Sequence, residues 1–595
     1  MNTKFYLFVL FSCFIVQYSS GVIITHGPMI GGVSPSSARI YIRTDVPTTI
    51  MLQYGEDSTL SVFRSASVTT TADMDNSAII TLRDLQPLTD YYFMYKNSSG
   101  EDMGIIGHFK TFPLEGVDEH LIITTGSCQE TSNMKVFDVM PLHHPNLFIH
   151  TGDFTYPSYQ LPSSLDYPQS YESIEIAWQK RNEEPICRDM LKIIPIDYMP
   201  DDDDTWGNSR YNKGGAAKIR YENGKLVNYI DLYPRTQQMR DNCLSGYRNF
   251  FPGYTMVNDT DGYYHSFIMG NAEFFVIDTR SCNTGGWNNL KYDSIKKTWS
   301  YHGYNPQQTL LGQYQYNWLT QALKNSQASW KFIVSGVPFN KNINRFMEAP
   351  LLLQGVEFDI AGQAGTGFRL TYSFSDYWGA YEYEQRRFLK FIKDNAIQNV
   401  IVISGDTHGC AIDDGRNAGL PEMNASGLSV SSTELYYQFN KIFSLLGFDL
   451  RRWLWNKGGL GMGNDNIKNA FGKIEIFGKD SVQLCIIDED NTTIACHTVY
   501  NNQISTADPS HNQNLSFQLF PNPSSKYISW ALPEHIHKGD LQQIIISDIE
   551  GKILYSESMP TVQSIDITTF PSGEYLFFIA TKDNFGVQKF IKTKD

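Results

Sequence analysis

The chain has 595 residues, too many for one hydrophobic core and enough for about three or four domains. Its formal net charge of −15 argues against nucleic acid or an anionic membrane surface as a partner. Aromatic residues make up 14% of the chain, which excludes a disordered polymer and suits a sheet-rich exported protein.

Residues 1–21 have the build of a secretory signal peptide: Lys4, then the apolar stretch from Phe5 to Val16, then Ser19, Ser20 and Gly21. That stretch is too short to span a bilayer, and no later segment is long and apolar enough, so no transmembrane segment is expected after signal cleavage. Export permits disulfides, and Cys485 and Cys496 flank the turn Asp488-Glu489-Asp490-Asn491 in the manner of a cross-strand hairpin bridge.

From 22 to 113 short alternating strands are separated by turn residues, which predicts a small β-sandwich. Leu85-Gln86-Pro87-Leu88-Thr89-Asp90-Tyr91 resembles the corner of fibronectin type III-like modules, with Tyr91 packing or bonding backbone. From 119 to 500 buried runs alternate with helical patterns at Met134–Leu142, Tyr316–Leu323 and Tyr383–Ile392. This predicts α/β (α+β) layers, sheets covered by helices. Two long insertions, about 157–195 and 341–371, are expected to cover the active face. A polar linker at 501–513 leads to a second compact β-sandwich at 514–595.

Three strand ends carry the chemistry. Gly152-Asp153-Phe154-Thr155-Tyr156 follows Leu147-Phe148-Ile149-His150; Ser127-Cys128-Gln129 follows Leu121–Thr125; Gly405-Asp406-Thr407-His408 follows Asn399–Ser404. Cys, Asp, Tyr, Asp and His offered to one rim form a metal-ligand inventory, and a two-metal hydrolase is the economical explanation. His150 reads as a core histidine. Cys128 reads as a ligand or a disulfide partner. Arg280 reads equally as a phosphate contact or as half of a structural ion pair. No Gly-x-Ser-x-Gly elbow or Gly-Lys phosphate loop supports a serine hydrolase or a nucleoside triphosphatase.

Phe520-Pro521-Asn522-Pro523, Asp548-x-x-Gly551-Lys552, Gly573-x-Tyr575 and Lys589-Phe590-Ile591-Lys592 resemble the C-terminal sorting domain of the type IX secretion system of Bacteroidetes. That implies the type IX machinery as a partner and a secreted or surface-displayed product. Ser-Cys-Gln at 127–129, Gly-Asp-x-x-Tyr at 152–156, Val276-Ile277-Asp278-Thr279-Arg280, Leu311-Gly312-x-x-Gln315-x-x-Trp318-Leu319, Asp376-x-Trp378-Gly379-x-Tyr381 and Ser404-Gly405-Asp406-Thr407-His408 occur in the order found in PhoD-like alkaline phosphatases. These are a branch of the calcineurin-like metallophosphoesterases. One island departs. The family's Asp-Asp-His motif with a following Asn is replaced by Asp201-Asp202-Asp203-Asp204-Thr205-Trp206-Gly207-Asn208. Asp203 or Asp204 stands where histidine is expected, unless the run is merely a solvated acidic loop.

The resemblance implies a four-layer metallophosphatase fold and an alkaline phosphatase D type hydrolase acting on a small phosphate ester through metal-bound hydroxide. Asp153 would bridge two ions. Cys128 and Tyr156 would complete the shell of one, suited to Fe³⁺. Asp202 or Asp203, Asn208 and Asp406 would hold the second, with Ca²⁺ favoured by the lost histidine and Mg²⁺ or Zn²⁺ as alternatives. His408 would ligate metal or protonate the leaving oxygen, and Arg280 would neutralise a phosphate oxygen. The competing readings are a phosphodiesterase of phospholipase D type and an inactive surface-displayed binding protein, the latter prompted by the missing histidine.

Overall fold

The structure is a computed structural model that describes residues 22–594 except 98, 132–133, 158–166, 206–219, 223–224, 228–235, 259, 286–289, 294–297, 302–303, 348–375, 430–453, 461–467, 502–514, 516, 534–535, 537, 549–552 and 582–584. The signal peptide, Asn208 with Trp206 and Gly207, most of the linker, Gly551-Lys552 and the larger part of the second insertion lie outside the described residues.

Two mixed sheets dominate. The first has nine strands in the order Thr493–Tyr500, Ser481–Asp488, Ala470–Phe477, His120–Gly126, Leu147–His150, Ile196–Tyr198, Ile24–Gly31, Ala38–Thr44 and Ser77–Leu82. The second has seven, ordered His265–Met269, Ala272–Ile277, Trp330–Ser335, Val400–Ser404, Pro421–Ala425, Cys410–Asp414 and Gly458–Leu460. The central strands of each run parallel. Strand Val400–Ser404 is buried at every position, as a parallel strand covered on both faces must be.

Alternation assigns each face its partner. Ile123, Ile149, Phe274, Val276, Phe332, Val334, Ile401 and Ile403 form one core between the sheets. Phe148 and Ile196 point away and pack beneath helices Tyr171–Asn182 and Gln237–Phe250 through Ile174, Trp178, Leu244 and Tyr247. On the far side, Phe275, Ile277, Ile333 and Val402 pack beneath helices Gly312–Asn325 and Glu382–Asp394 through Leu319, Leu323, Phe388 and Ile392.

The N-terminal strands do not stand apart. Ile24–Gly31 pairs in parallel with Ile196–Tyr198, so three N-terminal strands extend the nine-stranded sheet. The remaining four form a separate sheet, Arg64–Thr69, Thr49–Gly55, Asp90–Lys96 and Asp102–Lys110. Tyr91 combines both expected roles: it is buried, and its hydroxyl accepts from the Gln86 amide at 2.9 Å. The described part of the first insertion includes helix Tyr171–Asn182, which packs on the outer face of the sheet and also reaches the strand-end loops, with Trp178 against Phe154 and Arg181 donating to the Gln129 carbonyl. Ile174 and Trp178, one turn apart, bury on that face. Near the C-terminus a three-stranded and a four-stranded sheet share a core of Ile528, Trp530, Ile544, Ile546, Phe577 and Ile579. Cys485 and Cys496 are bridged across the hairpin.

Candidate metal centre

The loops after the C-terminal ends of the central strands in both sheets converge. Gly152 has φ of 107°, and a Cβ there would sit 2.2 Å from Asp201 Cβ, so glycine lets the loop after Leu147–His150 touch the acidic run. A Cβ on Gly405 would meet Ser127 Oγ at 2.6 Å and Thr151 Oγ1 at 2.8 Å, so glycine also lets the two sheets' loops meet. Four side chains that face the resulting crevice come from non-glycine residues in the left-handed region: Cys128, Asp153, Asp406 and His408, with φ of 61°, 57°, 66° and 54°. Such backbone is costly for residues with a Cβ, and it concentrates at functional sites.

Two groups of donor atoms result, each within 4.8 Å. One is Cys128, Asp153 and His408; the other is Asp153, Asp201, Asp202 and Asp406. Asp153 belongs to both. Its Oδ2 lies 3.7 Å from Cys128 Sγ and accepts from the Tyr156 hydroxyl at 3.2 Å, while its Oδ1 accepts from the Asp203 amide at 2.9 Å. Cys128 is a free, fully buried thiol with Sγ 3.0 Å from Ser426 Oγ, so the disulfide alternative is absent.

The acidic run is not a solvated loop. Asp201, Asp202 and Asp204 are buried, and each does something different. Asp201 pairs with Arg280 through Oδ1, while its Oδ2 is buried without a hydrogen-bond partner among the described residues. Asp202 is a member of the second donor group. The Asp203 side chain joins neither group, and the residue contributes its amide to Asp153. Asp204 accepts from the backbone amides of Asp153, Phe154, Thr155 and Asp201. Asp201 as part of a donor group and Asp204 as an anchor were not singled out from sequence. Their only signal was membership of the run.

Arg280 forms a buried ion-pair network. Its guanidinium contacts Asp201, Asp376 and Asp406, the last at 2.9 Å, and it is buried. His150 is fully buried among Phe148, Phe154 and Tyr198, as a core histidine.

One guanidinium is too little positive charge for this many carboxylates. Burial, then Asp202, Asp203, Asp201 and Asp406, push the Asp153 carboxyl well up. Burial lifts Asp406 well above the carboxylate range, and lifts Asp201 to about 6 against the pull of Arg280. The Cys128 thiol and Tyr156 phenol are driven well up by burial and then by Asp153. Burial lowers the pKa of His408 and keeps it neutral, the form that ligates metal. A buried anionic cluster with an orphaned carboxylate oxygen fits bound cations, which supply the missing charge.

Comparison with known proteins follows the same residues. Residues 121–440 match the family model for PhoD-like phosphatase, and residues 518–593 match that for a secretion system C-terminal sorting domain. Alkaline phosphatase D of Bacillus subtilis (strain 168) is 26% identical over 336 residues, 54% of this chain and 52% of that protein, so the alignment spans about half of the relative. A solved structure of PhoD superimposes with a TM-score of 0.57 at 17% identity, covering 80% of this chain and 90% of that one, a likeness of fold. The sorting domain is of the type IX kind and marks the chain for export to the cell surface or beyond. Among the described residues no helix is long and apolar enough to cross a membrane.

Proposed function

The chain belongs to the PhoD-like phosphatase family, and from that premise we propose that it hydrolyses small phosphoric esters, in the manner of an alkaline phosphatase, at a two-cation site centred on Asp153. The observation that carries this reading is the sharing of Asp153 between two donor groups, as a bridging carboxylate requires. Cys128, Tyr156 and His408 would hold one ion together with Asp153. A thiolate and a phenolate beside an imidazole suit Fe³⁺. Asp201, Asp202 and Asp406 offer the second ion only carboxylate oxygen, which suits a hard ion such as Ca²⁺. When bound, such ions neutralise phosphate oxygens and lower the pKa of water to near neutrality.

The chain's own residues fix that arrangement. Arg280 aims Asp201 and Asp406 and acts as a positioning residue. Asp204 locks the backbone of the loop that carries Asp153 and Tyr156. In this reading residues 119–500 are a four-layer metallophosphatase domain. Residues 22–113 make a fibronectin type III-like β-sandwich, one of whose two layers is continuous with the nine-stranded sheet, and the sorting domain at 514–595 is a second β-sandwich.

The test is metal content and hydrolysis of nitrophenyl phosphate monoester and diester measured on one sample, before and after chelation. Two ions per chain and chelator-sensitive hydrolysis are expected, and the ratio of the two rates assigns the substrate class. A protein that holds no stoichiometric metal and hydrolyses neither ester would leave only the binding-protein reading.

A further inference from the structure

The four-stranded sheet of the sorting domain, Ile553–Ser558, Leu541–Asp548, Gly573–Thr581 and Phe585–Lys592, carries buried apolar residues on both faces. Successive side chains of a strand point to opposite faces. Ile544, Ile546, Phe577 and Ile579 enter the domain's own core. Ile545, Leu576, Phe578 and Val587 point the other way, yet they are only 1%, 2%, 4% and 5% exposed. Ile545, Phe578 and Val587 stand directly opposite one another on three adjacent strands, an unbroken apolar row.

An antiparallel sheet with one solvated face carries polar residues there. This row is instead covered by another part of the chain. The four side chains belong to the same contiguous buried cluster as Leu319 and Leu323 of helix Gly312–Asn325 and Phe388 and Ile392 of helix Glu382–Asp394. They are not part of the cluster that forms the sorting domain's own interior. Those helices cover the outer face of the seven-stranded sheet and not the crevice of the metal centre.

We propose that the sorting domain is docked on the phosphatase region through this second face, so that a break in segment 502–514 leaves the two pieces together as a noncovalent complex. The sorting domain is then a bound subunit and not a loose tag, and the piece that carries the phosphatase keeps it after the chain is cut. Removing apolar side chains such as these from water favours association by about 25 cal/mol per Å² of area buried.

The experiment introduces a specific protease site within 502–514 of the full chain, cuts it to completion, and passes the product over a sizing column. The expected result is one peak at the mass of the uncut chain that contains both pieces. Two separate peaks from the otherwise unaltered sequence would overturn the proposal. The pair Ile545→Asp and Phe578→Asp is expected to give two peaks after cutting. Ile591→Asp, on the same sheet but at a side chain 40% exposed, is expected to give one. Amide exchange of Leu541–Asp548 reports whether the variant sorting domain is still folded. If the double variant loses that protection, Val587→Asp on the edge strand replaces it. Separation is again expected, and co-elution would count against the interface.

Discussion

Replacing Asp204 by alanine tests whether the acidic run anchors the loops as well as supplying ligands. Asp204 Oδ2 accepts from the amides of Asp153 at 2.7 Å and Asp201 at 2.9 Å; Oδ1 accepts from Phe154 at 3.0 Å, Thr155 at 2.6 Å and the Thr155 hydroxyl at 2.9 Å. The side chain is 5% exposed, so water reaches these donors poorly. A buried donor left without a partner costs about 1–3 kcal/mol. Four amides at the low end of that range give a loss of about 4 kcal/mol, the low end being right because water enters the vacated volume. At about 2 °C per kcal/mol for a unit of this size, the melting midpoint falls by about 8 °C. Asparagine retains one oxygen; an amide nitrogen at Oδ2 strands the Asp153 and Asp201 amides, and one at Oδ1 strands the Thr155 amide while Phe154 keeps Oδ2 at 3.3 Å, so Asp204→Asn falls half as far or less. The assay is thermal melting of each protein before and after chelation. An anchor destabilises in the order alanine, then asparagine, and keeps that order without metal, whereas a residue that acts only as a ligand loses the difference on chelation. An Asp204→Ala protein that melts within about 1 °C of the parent after chelation would refute the anchoring argument.

Burial pushes the Glu422 carboxyl up to about 8, with Oε1 accepting from the Phe339 amide and the Ser404 hydroxyl. The folded state therefore keeps a proton that the unfolded chain releases near pH 4.5, so this contribution is full below pH 4.5 and is lost as pH rises through about 8. Urea midpoints across that window should fall for the parent and flatten for Glu422→Gln. Burial works to lower the pKa of His265, but Asp197, 3.0 Å away and also buried, wins and raises it. The stability supplied by this pair is complete below pH 6.5 and fades as pH climbs through the raised value; Asp197→Asn should remove that slope in the same titration. Asp153→Asn should lose both ions together, and Cys128→Ser only one, by elemental analysis of folded protein. Equal losses in the two variants would contradict the bridging role of Asp153.

The central strands and the helices that cover the second sheet were legible because their periods are strong. Val400–Ser404 is a continuous apolar run, and Glu382–Asp394 carries Phe388 and Ile392 one turn apart. Helix Gln237–Phe250 was not legible: it interleaves Cys243, Leu244, Tyr247 and Phe250 with Asn and Arg, and its partners come from distant segments. The continuity of the N-terminal strands with the catalytic sheet was hidden for a related reason. It rests on one parallel pairing, Gly31 with Ile196, between residues far apart in the chain, and strand periodicity says nothing about which edge a strand joins. Of the residues that meet in the two donor groups, Cys128, Asp153, Asp406 and His408 were singled out because each follows a buried strand, and Asp201 was not. The left-handed backbones of those four were not legible, because nothing in Cys128 or His408 demands that conformation.

The run Asp201 to Asp204 shows where reading a motif stops. A pattern asks which aspartate replaces the family's histidine, as if one position inherited one role. In the fold, four identical side chains at consecutive positions meet four environments. One carboxylate faces Arg280, one joins the second donor group, one stays half-buried while its amide serves Asp153, and one turns back onto the amides of the neighbouring loop. An imidazole could not do the work of Asp204, because a neutral ring offers one acceptor where five donors converge. Carboxylate at that position is therefore explained by backbone geometry before any metal is considered. The absence of histidine from the run is then no argument against catalysis, because His408 lies within reach of Asp153 from the other sheet and both donor groups form without a histidine from the run.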